Sequence, residues 1–217
     1  MKRLAALALA LLAACQTPIE APVGLEPTDT AFDPRLPGVW YGGDDGFDVA
    51  VLATAREDGR TLDVTLAYGE APSRLLENGE LDPVRFGSFQ AVVRATALDG
   101  ATYYEARRDP DAGFDYTPAG TQPGGILFRC AFTPDGDLYL ETLSGTIIAA
   151  EGAAYGVTLV ATPIGGGDTY RSLAASREGL VALIRGVGPD RLFAERWGPL
   201  RKAPQAATPL GVEGIEP

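Results

Sequence analysis

Three aspartates, Asp109, Asp111 and Asp115, set around Gly113, are the residues best spaced for chemistry in this chain. Carboxylates gathered on a tight turn suit a hard cation such as calcium. The EF-hand pattern is incomplete, since Gly113 occupies the third ligand position and no Glu closes the loop, so a solvated acidic loop is the plainer reading. Asp44, Asp45 and Asp48 form a looser cluster of the same kind. Histidine is absent from the sequence, which removes Ser-His-Asp and Cys-His nucleophiles and His-based metal sites. Cys130 therefore has no base to activate its thiol and reads as a small buried hydrophobe. A glycosidase-like carboxylate pair carries little weight, because 29 acidic residues place some pair near any cleft. Gly165-Gly166-Gly167 reads as a loop and not as a phosphate cradle. The side chains point away from an enzyme: no catalytic residue and no cofactor is expected, with calcium at Asp109, Asp111 and Asp115 the minor exception.

The elements that would position these residues are strands. Period-two alternation runs through residues 47–52 and 62–68, with Leu62, Val64, Leu66 and Tyr68 on one face. Residues 89–97 and 102–107 flank the turn dipeptide Asp99-Gly100. Residues 126–132 and 138–143 flank Pro134-Asp135-Gly136, where Pro sets φ and Gly supplies a positive φ. Residues 146–150 and 157–162 extend the strand series. So many short strands predict a mainly β domain, an antiparallel barrel of calycin-like type or a tight sandwich, closed to remove its edges. The period then changes. Ser176 caps a helix carrying Leu180, Leu183 and Ile184, and Leu192, Phe193 and Trp197 predict a second short helix ended by Gly198-Pro199.

The chain opens with Met1-Lys2-Arg3, an unbroken Leu/Ala run over residues 4–14, and Cys15. A charged start, a short apolar run and a small-residue exit are the parts of a secretory signal. With the cysteine at the exit, the stretch resembles the lipobox of bacterial lipoproteins. That resemblance implies a signal peptide over residues 1–14 and an acylated Cys15 as the mature N-terminus; Gln16 in the next position implies sorting to the outer membrane. Several acyl chains on one residue give stable anchoring. Residues 15–35, rich in proline, are expected to form a tether, residues 36–202 one β domain, and residues 203–217 a flexible tail. The net charge of −11 argues against nucleic acid, whose phosphates call for clustered Lys and Arg. It also leaves docking on anionic lipid to the acyl chains.

Gly38-Val39-Trp40-Tyr41, entering the first long strand, resembles the opening motif of lipocalins, whose barrels bind small hydrophobic molecules. The resemblance implies that Trp40 closes the base of a barrel beneath a basic side chain from late in the chain. The family's Thr-Asp-Tyr turn is missing, and Trp40 as a core residue of an unrelated barrel remains the alternative. Alternation places Trp40 inward and Val39 outward. The function expected is a binding or accessory module anchored in the cell envelope, its partner a small apolar ligand or an envelope protein. An inhibitor or assembly factor for a basic envelope protein is the alternative, and a carboxylate-based hydrolase comes third.

Overall fold

The computed structural model describes residues 19–21, 24–44, 47–70, 86–108, 124–165 and 168–203. Eleven strands follow in order: β1 (Glu20–Ala21), β2 (Gly38–Asp44), β3 (Phe47–Ala55), β4 (Thr61–Glu70), β5 (Phe86–Leu98), β6 (Ala101–Arg108), β7 (Gly125–Phe132), β8 (Leu138–Thr142), β9 (Thr158–Gly165), β10 (Asp168–Ala174) and β11 (Glu195–Lys202). Between β8 and β9 lie helix α1 (Gly145–Glu151) and a 3₁₀ turn (Gly152–Tyr155); between β10 and β11 lie α2 (Arg177–Val187) and the single turn α3 (Pro189–Leu192).

Hairpins β2–β3, β3–β4, β4–β5 and β5–β6 pair antiparallel in sequence order. β6 pairs with β7, β7 with β8, β8 with β11, and β11 with β2, so eight strands close into an antiparallel barrel. The turns are where the chain can make them: Gly100 and Gly136 both take positive φ, a region that costs glycine nothing sterically. β7 carries more than the barrel. Its lower residues pair with β8, while Ile126 and Gly125 pair with Glu20 and Ala21 of β1. β1 in turn runs parallel to β10, and β10 pairs with β9. A three-stranded extension therefore rises from the barrel wall above the end of β8.

Two hydrophobic cores result. One fills the barrel around Trp40, Leu62, Val93, Tyr104, Phe128, Leu138 and Leu200. The other lies outside the β6–β7 wall, where Tyr103 and Leu127 meet the helices through Leu180, Leu183, Ile184, Leu192 and Phe193. Alternation on β6 and β7 serves both, because adjacent residues point to opposite faces.

Three expectations are corrected. Residues 146–150 form helix α1 and not a strand: Ser144 accepts a hydrogen bond from the Ile147 N–H and caps the helix. Trp197 does not end a second helix. α3 stops at Leu192, and Glu195–Lys202 is the strand that closes the barrel. Nor are residues 19–21 and 24–35 a free tether. Ile19, Ala21 and Leu25 are buried in the outer core, and residues 31–37 cross the base of the barrel into β2. Apolar residues between the prolines found buried positions, and burial outweighs the extended preference of the prolines.

Candidate binding site

Trp40 anchors the closed end. It is 2% exposed, while its neighbours Val39 and Tyr41 face outward at 44% and 46%. The indole N–H donates to the Leu36 carbonyl at 2.8 Å, which fixes the residues 31–37 strap under the barrel. Lys202, from the last strand, lies over the indole with Nζ 5.2 Å from the ring centroid, and donates to the Arg35 carbonyl at 2.6 Å. Arg35 covers the Phe132 ring at 3.7 Å and pairs with Asp33 at 2.6 Å. That hydrogen bond from Arg35 holds the Asp33 carboxyl below the usual carboxylate range. Cations over aromatic faces and a backbone-tied strap seal this end with little loss of hydrogen bonding.

The seal gives way to a looser region above. Val51, Val64, Ala106, Ile126, Leu140 and Trp197 all pack on the inner core, yet each is only partly buried. Register explains their common direction: Val64 sits opposite Ala53 and Ala91, Ala106 opposite Val93 and Ile126, and Leu140 opposite Cys130 and Trp197. These side chains face into a closed barrel and still keep some exposed surface, so the interior is less completely covered here than around Trp40. Small residues also stand on the inner face, at Ala53, Ala91, Ala95 and Ala106, the first three of them buried. At the upper end three connections leave the strands, residues 45–46, 71–85 and 109–123, all outside the described residues.

One wall at this end is polar. Glu20 pairs with Ile126, which faces the barrel interior, so Glu20 continues the inner face upward. Ser172 and Tyr170 share that face on β10. Glu20 is 6% exposed and accepts hydrogen bonds from Tyr170 Oη at 2.7 Å and from the Gly124 N–H at 3.3 Å. A satisfied carboxylate can stay buried where a bare one could not. The other buried carboxylate among the described residues, Glu141, follows the inward Leu140 and so points out of the barrel, held by Arg196 at 2.6 Å and Arg129 at 3.9 Å. The two do not face each other across a cleft.

Lower down the wall has a second opening. The β6–β7 ladder ends at the Tyr104–Phe128 pair, and below it a cleft of about 330 Å³ reaches Phe32, Asp33, Thr102, Tyr104, Arg129 and Cys130. Burial pushes the Tyr104 phenol up to about 12, although its oxygen accepts the Asp33 N–H at 3.2 Å. Burial likewise pushes the Cys130 thiol up, which keeps it protonated and poorly nucleophilic.

Trp40 is thus in the inner core. Asp109, Asp111, Asp115, Asp45 and Cys15 lie outside the described residues. Asp44 and Asp48 sit near the hairpin at the upper ends of β2 and β3. Among the described residues, no group of three acidic or Cys side chains comes together as metal ligands would. Sequence reasoning missed Glu20 and Trp197. Ile19-Glu20-Ala21 does alternate apolar, polar, apolar, but Pro18 and Pro22 on either side disguise a two-residue strand. Comparison of the chain with protein-family models, with curated proteins and with solved structures finds no match.

Proposed function

We propose that this chain is a lipid-anchored binding protein of the bacterial envelope whose barrel takes up a small apolar molecule. The observation that carries the binding half is the set of inward side chains above Trp40 that stay partly exposed, Val51, Val64, Ala106, Ile126, Leu140 and Trp197, with no charged side chain among them, and the proposal takes them as the lining of a hollow. Apolar pockets with a few placed polar groups are the usual form of small-molecule sites, and Glu20 with Tyr170 supplies such groups at the mouth. The ligand class is an elongated apolar molecule with one hydrogen-bonding end. Anchoring rests on the sequence of residues 1–15, where Cys15 would carry the acyl chains, and Gln16 favours the outer membrane.

A neutral fluorescent naphthylamine, titrated into the full chain with Cys15→Ala to remove the acyl chains, tests the binding half. The expected result is saturable binding with energy transfer from Trp197, and its loss in Ala106→Trp, where the new indole fills the hollow. Absence of saturable binding by folded protein overturns the reading. So does equal binding by the Ala106→Trp variant.

A further inference from the structure

The stretch of residues 143–167 holds one charged residue, Glu151, in a chain that is 22% charged. It forms α1, the 3₁₀ turn and β9. Glu151 is paired with Arg191 at 2.6 Å. Ala149, Ala153, Ala154, Ala161 and Pro163 are all exposed there, while Val160, 37% exposed, points to the other side of β9 with Ser172. Among the described residues β9 is also the last strand of the extension, paired on one side with β10. An exposed, uncharged edge strand is a surface that proteins ordinarily blunt with charge.

The position of this face relative to the chain start gives it a partner. Ile19 is buried in the outer core, and Glu20 pairs with Ser172, which pairs with Val160. Two strand spacings, roughly 10 Å, therefore separate the start of β1 from β9. Gly145 at the head of α1 lies against Arg171 and Leu159, so the helix stands over the same corner. Three residues, Gln16, Thr17 and Pro18, connect Cys15 to Ile19, and four backbone steps reach at most roughly 14 Å. An acyl anchor so short cannot hold the domain away from the lipid, and only surface near Ile19 can meet it.

We propose that the uncharged face of α1, the 3₁₀ turn and β9 is the face this domain lays on the bilayer. The inference rests on the anchoring reading above and adds the orientation. Charge agrees with it. The chain's net charge of −11 becomes more negative still once Lys2 and Arg3 leave with the signal, so anionic lipid repels the body. These elements bring Glu151 alone, paired with Arg191, and the Arg171–Glu195 pair lies beside them at the head of α1. No helix among the described residues is long and apolar enough to cross a membrane, so contact is with the surface. The barrel mouth, whose polar wall is the inner face of the same extension, then opens beside the lipid, where apolar molecules are concentrated.

The test uses the acylated full chain in a Cys130→Ala background, on phosphatidylethanolamine/phosphatidylglycerol vesicles containing headgroup spin-labelled lipid. A fluorophore is attached at Ala154→Cys, at Ala161→Cys, or at Leu52→Cys on the opposite wall. Quenching several-fold greater at 154 and 161 than at 52 is the expected result. Equal quenching, or more at 52, overturns the orientation while the anchor stands. The mass of the mature N-terminus reports on the anchor separately: a Cys15 without acyl chains overturns the anchoring reading, and this inference with it.

Discussion

The two cores differ in how completely they are closed. Outside the β6–β7 wall, Leu180, Leu183 and Leu192 have no exposed surface, and the Tyr103 and Phe193 rings meet at 5.4 Å. Inside the barrel, Trp40 and Phe132 approach to 6.0 Å at the base, beside the cleft at Tyr104 and Cys130, and six inward side chains above them remain partly exposed. Both cores draw on the same two strands, with Tyr103 turned to one and Tyr104 to the other. The difference separates two tasks. The helix-backed core holds the more completely buried side chains, and the upper barrel keeps its inward apolar residues partly exposed.

Substitutions measure that division. Trp40→Ala removes a buried indole and the bond that ties the strap to it, and should cost about 3–5 kcal/mol, a large part of the stability of an ordinary domain. Urea denaturation of the variant checks this; stability equal to wild type would mean that the closed end is not packed around the indole. The sharper comparison sets one core against the other. Leu183→Ala in the closed core should cost about 3 kcal/mol, and Ile126→Ala in the open one about 1–2 kcal/mol, because a half-exposed side chain has less burial to lose. Equal losses from the two would erase the distinction between the cores.

The barrel was legible from turns and alternation. Asp99-Gly100 and Pro134-Asp135-Gly136 mark two hairpins that the register reproduces, and Leu62, Val64 and Leu66 lie along one strand as their spacing implied. Its closure was not legible at the residues that complete it. Leu192, Phe193 and Trp197 fit a helical period by accident, and Gly198-Pro199 resembled a stop; in the structure the register merely shifts between Trp197 and Leu200 and the strand continues. Gly42 accommodates that irregularity, since a Cβ there would come within 2.6 Å of the Pro199 carbonyl. Residues 146–150 misled in the opposite sense: Thr146, Ile147 and Ile148 favour strand locally, and the Ser144 cap together with packing on β9 decided for helix. The polar wall was hidden for a further reason. Glu20 and Tyr170 are 150 positions apart, and no local pattern announces a pair that only a parallel strand contact creates.

The last comparison concerns the two tyrosines, one turned to each core. Desolvation raises both phenols, and Tyr104, on the inner face, is raised to about 12. A phenol that ionises near pH 10 in the unfolded chain and near 12 in the folded one leaves stability untouched below pH 10, where both states keep the proton. Between those values the unfolded chain releases its proton first, so stability falls as pH rises, and above the folded value the loss is complete. At ~1.36 kcal/mol per pH unit the window removes roughly 2 kcal/mol, allowing for partial relaxation of the site. Tyr104→Phe has no phenol at this position. It loses the hydrogen bond from the Asp33 N–H at every pH, which lowers its stability by a constant amount and leaves the slope as the informative quantity. The urea midpoint should therefore drop less between about pH 9 and about pH 11.5 in Tyr104→Phe than in wild type. The companion variant Tyr103→Phe asks whether the outer core penalises ionisation as strongly. A smaller change of slope there than in Tyr104→Phe would show the lower barrel to be the drier of the two places; identical slopes in all three proteins would show that neither phenol is held neutral by its core.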